Sequence, residues 1–419
     1  MSEHPLAYGI DFGTSNSLIA VAWPDRVEVV DLGSRRVPEN LPSVVYLNAD
    51  GNRAAGDQAV EQFLVSAGID SRLLVGIKSD LSDPRLLKTS SWGRSWTLSE
   101  LVEIILRTLK RAADSLTGSV VDRVVLGHPV AFVGTEGEEY DQRQALAMER
   151  LIEAAHLAGF RDVETLEEPA AAVEEEDPPS GLMVALDFGA GTFDVAVVDY
   201  RRDEPEVIGL QGAAIGGEQF DQLLFNARIA GELGLHDEYA APDGSRHRLP
   251  NRINANSRSM LDLRGLLNDP YLQGILARFR GYRGGERLER FERLLYGGFA
   301  FHFYEAIEQA KIRLSTEDHT LIEFHRRDFD VSVPISLAEF NGLIEHHIAV
   351  LDKTIKLALD DAEVGPGSVE RVVKTGGSSA VPLFAEMVES IFDPSCIEQR
   401  PPFTTVVRGL GCYAQEVWR

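Results

Sequence analysis

The segment YGIDFGTSNSLIAVA at residues 8–22 returns in altered form as VALDFGAGTFDVAVV at residues 184–198. Each copy reads as an apolar strand, a short turn rich in Gly and hydroxyl residues, and a second apolar strand. Superposing them pairs Asp11 with Asp187, Phe12 with Phe188, Gly13 with Gly189 and, after a small shift, Thr14 with Thr192. A duplicated hairpin predicts two related lobes, each lending one loop to a shared cleft. The loop chemistry fits a phosphate. Gly13, Gly189 and Gly191 allow close backbone approach, so that successive N–H groups converge on phosphate oxygens, and Thr14, Ser15 and Thr192 add hydroxyls. Asp11 and Asp187 end facing strands, where a pair of carboxylates suits a hydrated Mg²⁺ that keeps its waters and also binds substrate phosphates. A single copy is equally satisfied by an ordinary hairpin turn, which selects Asp and Gly for its own geometry. Two copies ending equivalent strands favour the ligand.

The rest of the chain supports a two-lobe α/β reading. Strands are expected at VEVVDL, LPSVVYLN and DRVVLGHPVAF, and helices at GDQAVEQFL, LSELVEIILRTLKRAADSL (with Thr97 or Ser99 as N-cap) and EYDQRQALAMERLIEAAHLAGF, closed by Gly159. DPPSG, residues 177–181, is the expected linker, since the second hairpin starts directly after it. Lobe I is thus expected over 1–180 with a smaller outer subdomain near 44–97, and lobe II over 181–419 with an outer helical subdomain near 219–314. The length of 419 residues is ample for two cores.

Charge and composition narrow the partners. Lys and Arg number 41 against 66 Asp and Glu, a formal charge of −25, and such a field repels nucleic acid and anionic lipid. Any phosphate must therefore be held locally. Two cysteines, Cys396 and Cys412, make neither a disulfide framework nor a metal-binding spacing, and no apolar run reaches the length of a membrane span. A protein of the cytoplasm, with no membrane or nucleic-acid partner, is expected. His346 and His347 are neighbours on a helix and point apart, so they do not read as a metal site. Neither a GxxxxGK[ST] loop nor a GxSxG elbow occurs in the sequence. The Arg-rich stretch 278–293 reads as a solvated amphipathic helix, with a phosphate or partner surface the lesser alternative. In VKTGGSSAVP the paired glycines allow a base or sugar to lie on the backbone, or simply turn a strand into a helix.

Taken in order, YGIDFGTSNS, VVLGHPVAF, LEEPAAAV, ALDFGAGTFDVAVV, IGGEQFD, EQAKIRLS, VKTGGSSAVP and VVRGLGCYA resemble the nucleotide-binding domain of the DnaK-type seventy-kilodalton heat-shock chaperones. The resemblance covers nearly the whole chain. It implies an actin-like ATPase fold, a duplicated ribonuclease H-like βββαβα core closing on a nucleotide. Because the sequence ends soon after GLGCYAQEVWR, it resembles the short YegD-like branch that lacks the peptide-binding domain.

Carried over position by position, the resemblance implies that Asp11 and Asp187 orient hydrated Mg²⁺. Gly13, Thr14, Ser15, Gly189, Gly191 and Thr192 would take the β- and γ-phosphates, and Gly216 and Gly217 of IGGEQFD also belong to the nucleotide set. Asp194 would lie near the metal and the attacking water, which Glu168 helps position. Lys78 of GIKSDL matches the lysine that meets developing charge on the γ-phosphate, although Arg72 of SRLLVG aligns there with a shifted gap. Glu308, Lys311 and Ser315, with Gly376, Gly377 and Ser378, would receive the adenosine. The family's two adenine-stacking arginines are here Ile312 and Ala380, which predicts weaker or less adenine-selective binding unless Arg313 or an arginine of 278–293 substitutes. Phe403 stands where the family often has an acidic residue. The implied function is a slow ATPase, binding ATP or ADP with Mg²⁺, whose lobe closure governs contact with a protein partner or co-chaperone. The alternatives are a nucleotide-sensing scaffold with little or no hydrolysis, or an actin-like filament. A small-molecule kinase would need an acceptor-side aspartate base that the sequence does not offer.

Overall fold

The computed structural model describes residues 4–34, 37–66, 70–86, 88–133, 140–172, 181–201, 206–255, 257–259, 263, 266, 269–282, 286–401 and 404–419. Most of the expected linker, residues 177–180, lies outside them, as does Phe403. The first hairpin is β1 (Ala7–Phe12) and β2 (Asn16–Ala22), followed by β3 (Val27–Val29). Two later strands, β4 (Arg123–His128) and β5 (Asp162–Glu167), join it in parallel, giving the order β5-β4-β1-β2-β3, and the short strand Leu41–Pro42 also pairs with β2. The second hairpin is β6 (Leu182–Phe188) and β7 (Phe193–Asp199), followed by β8 (Glu206–Ala213). It too gains two parallel strands, β9 (Arg371–Thr375) and β10 (Ile397–Gln399), in the order β8-β7-β6-β9-β10. The two sheets have the same connectivity, so the repeat seen in the sequence extends from a turn motif to a five-strand topology.

Local signals explain the helices that flank the site. The helix α1 (Leu98–Thr117) starts at Thr97, whose side chain accepts from the Glu100 N–H while Glu100 reaches back to the Thr97 N–H, a reciprocal cap. A second helix, α2 (Tyr140–Ala158), stops before Gly159, which takes φ +106°. Strand β5 runs directly into the single turn α3 (Glu168–Ala171), with Pro169 in its first turn. In the second half, α4 (Gly217–Leu224) continues through a π-helical turn at Phe225–Ile229, and α5 (Ala300–Arg313), α6 (Leu337–Asp361), α7 (Pro382–Ile391) and α8 (Thr405–Trp418) follow.

Each half has its own apolar core. One gathers Ile10, Phe12, Ile105 and Leu126, and the other Leu186, Phe188, Phe220 and Phe384. Between them lies a third layer of mostly small residues, including Ala7, Val125, Ala171, Ala185, Ala196 and Leu410. Two helices are exchanged across it: α3, from the first half, packs on β6 and β7, and α8, from the second, packs on β1 and β2. They meet where Gly409 passes the carbonyl of Ala171, so closely that a Cβ on Gly409 would fall 1.7 Å from that oxygen. Gly409→Ala therefore forces the backbones apart; we expect it to destabilise the protein by about 1–3 kcal/mol, read as a lowered melting temperature.

Candidate functional site

The ends of β1 and β6 bring both hairpin turns to one cleft. Opposite Asp187 on β7 is Asp194, in register, and Asp187 is paired in turn with Thr375 on β9. This puts Asp194, Asp187 and Thr375 in one row on the same side of the sheet. Asp194 is fully buried; its Oδ1 accepts from the Val130 N–H at 2.9 Å and its Oδ2 has no hydrogen-bond partner. From the first half, the buried Lys78 donates to Glu168 Oε1 at 2.5 Å. Asp11 faces the same group of charges, being influenced by Glu168, Lys78 and Asp187.

Four carboxyl groups thus share one ammonium. Burial raises all three aspartates and the neighbouring carboxylates, Glu168 above all, raise them further, against a smaller lowering by Lys78: Asp11 lies well above the usual carboxylate range, Asp187 is pushed up to about 8 and Asp194 to about 7. Burial opposes the charge on Lys78, but Glu168 and Asp11 outweigh it and hold the ammonium above its ordinary value. An excess of buried negative charge around an unpartnered carboxylate oxygen fits a cation. Among the described residues no three His, Cys, Asp or Glu side chains converge on one point as direct ligands, so the donor set suits an ion that keeps its waters.

The residues of the two hairpin turns lie on both walls of the cleft. The turn at Gly13 is so tight that a Cβ there would meet the Asn16 carbonyl at 2.2 Å, and a Cβ on Gly191 would meet Thr14 Oγ1 at 2.8 Å, which brings the two loops together. Ser15 Oγ donates across to Glu218 Oε1 at 3.2 Å. On the second wall the Gly189 carbonyl receives both the Gly217 N–H at 3.1 Å and Ser378 Oγ at 2.8 Å, while the Gly216 N–H goes to Gln219 Oε1 at 2.6 Å. Gly376 takes φ +80°, and a Cβ there would lie 2.3 Å from the Phe188 carbonyl and 2.8 Å from Asp187 Oδ1. It connects the turn after β9 directly to the second carboxylate. Thr192 lies beside Asp194, and its side chain opposes the rise in that carboxyl's pKa.

Two carboxylates that the sequence reading did not single out, Asp221 and Glu218, complete the wall beside the expected Lys311 and Glu308. Lys311 is buried and donates to Asp221 Oδ2 at 2.8 Å and to the Gly217 carbonyl at 3.0 Å; Glu308 faces Asp221 and Glu218. Burial pushes Glu218 up to about 7 and Asp221 to about 6. Asp221 was visible only as the last letter of IGGEQFD; its partner is 90 positions away, and no local pattern joins them. Ser315 sits just past α5, its N–H bonded to the Ile312 carbonyl, and the exposed Gly377 opens a half-buried turn after β9.

Two substitutes considered for the missing adenine arginines point elsewhere. Arg313 donates to Thr320 Oγ1 and the Leu321 carbonyl, and Arg280, Arg287, Arg290 and Arg293 pair with Glu292, Asp237, Glu232 and Glu289. Arg72 lies on the strand Ser71–Leu74 with its guanidinium 5.9 Å from the Trp92 ring, so it is Lys78 that reaches Glu168. His347 packs edge-on against Phe220, and burial lowers its pKa.

A sequence model of the Hsp70 protein family matches residues 7–234 and 300–410. The chain belongs to the Hsp70 family. Its fold is accordingly the actin-like ATPase fold, and the matched sheet topologies are that fold's duplicated core. The break in the match, from 235 to 299, holds the Arg-rich stretch and carries none of the residues that line the cleft. This Hsp70-family chain is 25% identical over 402 residues to the chaperone protein DnaK of Thermosipho africanus (strain TCF52B), an alignment covering 92% of this chain and 55% of that protein. It spans about half the length of that curated relative. Among its described residues no helix is long and apolar enough to cross a membrane.

Proposed function

We propose that this chain binds Mg-ATP in the cleft between its lobes, hydrolyses it slowly, and uses the accompanying change in lobe closure to regulate contact with a protein partner. The observation that carries this reading is the convergence of Asp11, Lys78, Glu168, Asp187 and Asp194 where two matched hairpins meet. Asp11 and Asp187 would hold the hydrated Mg²⁺, which when bound would supply positive charge against the phosphates. Backbone and hydroxyl groups of Gly13, Thr14, Ser15, Gly189, Gly191 and Thr192 take the terminal phosphates. Glu168 and Asp194 orient the attacking water, and Lys78 meets the negative charge that grows on the γ-phosphoryl oxygens. Glu308, Lys311, Ser315, Gly376, Gly377 and Ser378 form the adenosine side, with Gly216 and Gly217 shaping the floor beside them. Nucleotide entry must then draw Lys311 from Asp221 and part Ser15 from Glu218. That requirement links binding to lobe movement.

A second reading, a nucleotide sensor that scarcely hydrolyses, is favoured by the same pairings, since Lys311, Gly216 and Ser378 already satisfy protein groups. Calorimetric titration with ATP, ADP and GTP, with and without Mg²⁺, followed by single-turnover hydrolysis, separates the two. Magnesium-dependent binding with turnover supports the ATPase; binding without turnover supports the sensor; no binding by folded protein overturns both. Sedimentation with ATP tests a filament.

The nucleobase side offers a gain of function. Ile312 is 50% exposed on α5, and Ala380 is also exposed. Ile312→Arg restores a guanidinium that can stack on a base, a contact of about 0.5–2 kcal/mol. We expect adenine nucleotides to bind roughly 2- to 30-fold more tightly. Direct titration reads the change.

A further inference from the structure

Lys78 sits in a helical turn, Ile77–Asp80, too short to hold itself; it begins after Gly76 at φ 64° with no side-chain cap. What fixes it lies behind. Arg150, a buried residue of α2, donates through Nη1 to the carbonyls of Leu81 at 2.6 Å and Asp83 at 3.1 Å, and through Nη2 to the carbonyl of Leu86 at 3.2 Å. One planar guanidinium thus ties together the chain that follows the Lys78 turn, a task suited to its fixed fork of donors. Ser82, within that chain, donates to the Val133 carbonyl. The same helix governs the opposite side of the site, where Gln144 bonds the Phe132 N–H and the Val130 carbonyl, both at 2.8 Å, and the Val130 N–H in turn holds Asp194.

We propose that Arg150 is a positioning residue of the hydrolytic site, clamping the 81–86 backbone so that Lys78 Nζ stays at Glu168. This rests on the ATPase reading for its consequence in turnover, but the clamp itself is testable without nucleotide. Arg150 touches no reacting group; it acts through the main chain that carries Lys78. Burying a guanidinium against carbonyl oxygens is costly, and three such acceptors from one turn are what offset it.

The experiment compares wild type, Arg150→Gln and Arg150→Lys. Lysines are pulsed with an amine-acylating reagent and read by mass spectrometry, with the buried Lys110 and Lys311 as internal references. In Arg150→Gln, Lys78 should acylate at least about tenfold faster while Lys110 and Lys311 keep their rates. Single-turnover hydrolysis should fall on the order of 100-fold, the scale of an ångström-level misplacement, with ATP affinity within about threefold of wild type. Arg150→Lys, which keeps the charge but loses the fork, should fall between. Unchanged Lys78 protection in Arg150→Gln overturns the proposal, and so does equal exposure of all three lysines, which would mean general loosening. If wild type binds ATP without turnover, the hydrolytic reading fails, while the acylation pattern still decides the clamp.

Discussion

Lys78→Ala will reduce single-turnover ATP hydrolysis by about 10²–10³-fold while leaving Mg-ATP binding within a few fold of wild type. Among the described residues this ammonium is the cation that faces Asp11, Glu168, Asp187 and Asp194, and Nζ is fixed by its bond to Glu168 rather than reaching freely into solvent. A preorganised positive charge contributes most where charge appears only in the transition state, so its loss falls on the rate and not on affinity. Removing it also leaves Glu168 buried without its partner, which costs stability. Quench-flow measurement at saturating ATP, with a melting curve taken in parallel, separates the two effects. Arg72→Ala serves as the comparison: Arg72 is near Trp92 and should leave the rate unchanged. A large loss in Arg72→Ala and none in Lys78→Ala would overturn the assignment.

Much of the architecture was legible because the signals are local. The paired DFG hairpins announced a duplication, and both sheets obey it; the helix starting after Thr97 and the stop at Gly159 follow from capping chemistry written within four residues. The helix exchange could not be read this way. The packing of α8 on the other sheet depends on fits between residues far apart in the chain, such as the close pass of Gly409 by the Ala171 carbonyl. The candidate site divides along the same line. Asp11, Asp187 and Thr192 are fixed by strand ends and can be named from their turns. The bonds of Lys311 to Asp221 and of Arg150 to the 81–86 carbonyls join segments that no periodicity connects. Composition gave the negative charge of the chain but not its concentration into one buried group of carboxylates, which only the meeting of four separate segments creates.

That concentration makes the metal-free protein sensitive to pH in a direction opposite to an ordinary salt-bridged carboxylate. Asp187 is pushed up to about 8 and Asp194 to about 7, against 3.8 for each when unperturbed; burial is the main cause in both, with Glu168 next. Glu218 and Asp221 are raised to about 7 and about 6 by burial as well. The unfolded chain releases these protons near pH 4, whereas the folded chain retains them until pH 6 to 8. Stability from these groups is therefore fully present below about pH 4 and is lost as pH rises through the folded values, at about 1.4 kcal/mol per pH unit for each proton held only by the native state. In EDTA, the melting temperature should fall between pH 5 and pH 8 by on the order of 5 °C, and Mg²⁺ with nucleotide should remove most of the slope by supplying the missing positive charge. Asp187→Asn, which cannot ionise, should make the metal-free profile measurably shallower, leaving the part due to Asp194, Glu218 and Asp221, and abolish the stabilisation by Mg²⁺. A flat wild-type profile, or a slope that survives Asp187→Asn unaltered, would show that the buried carboxylates are not in strained proximity and that the charge excess does not define the cation site.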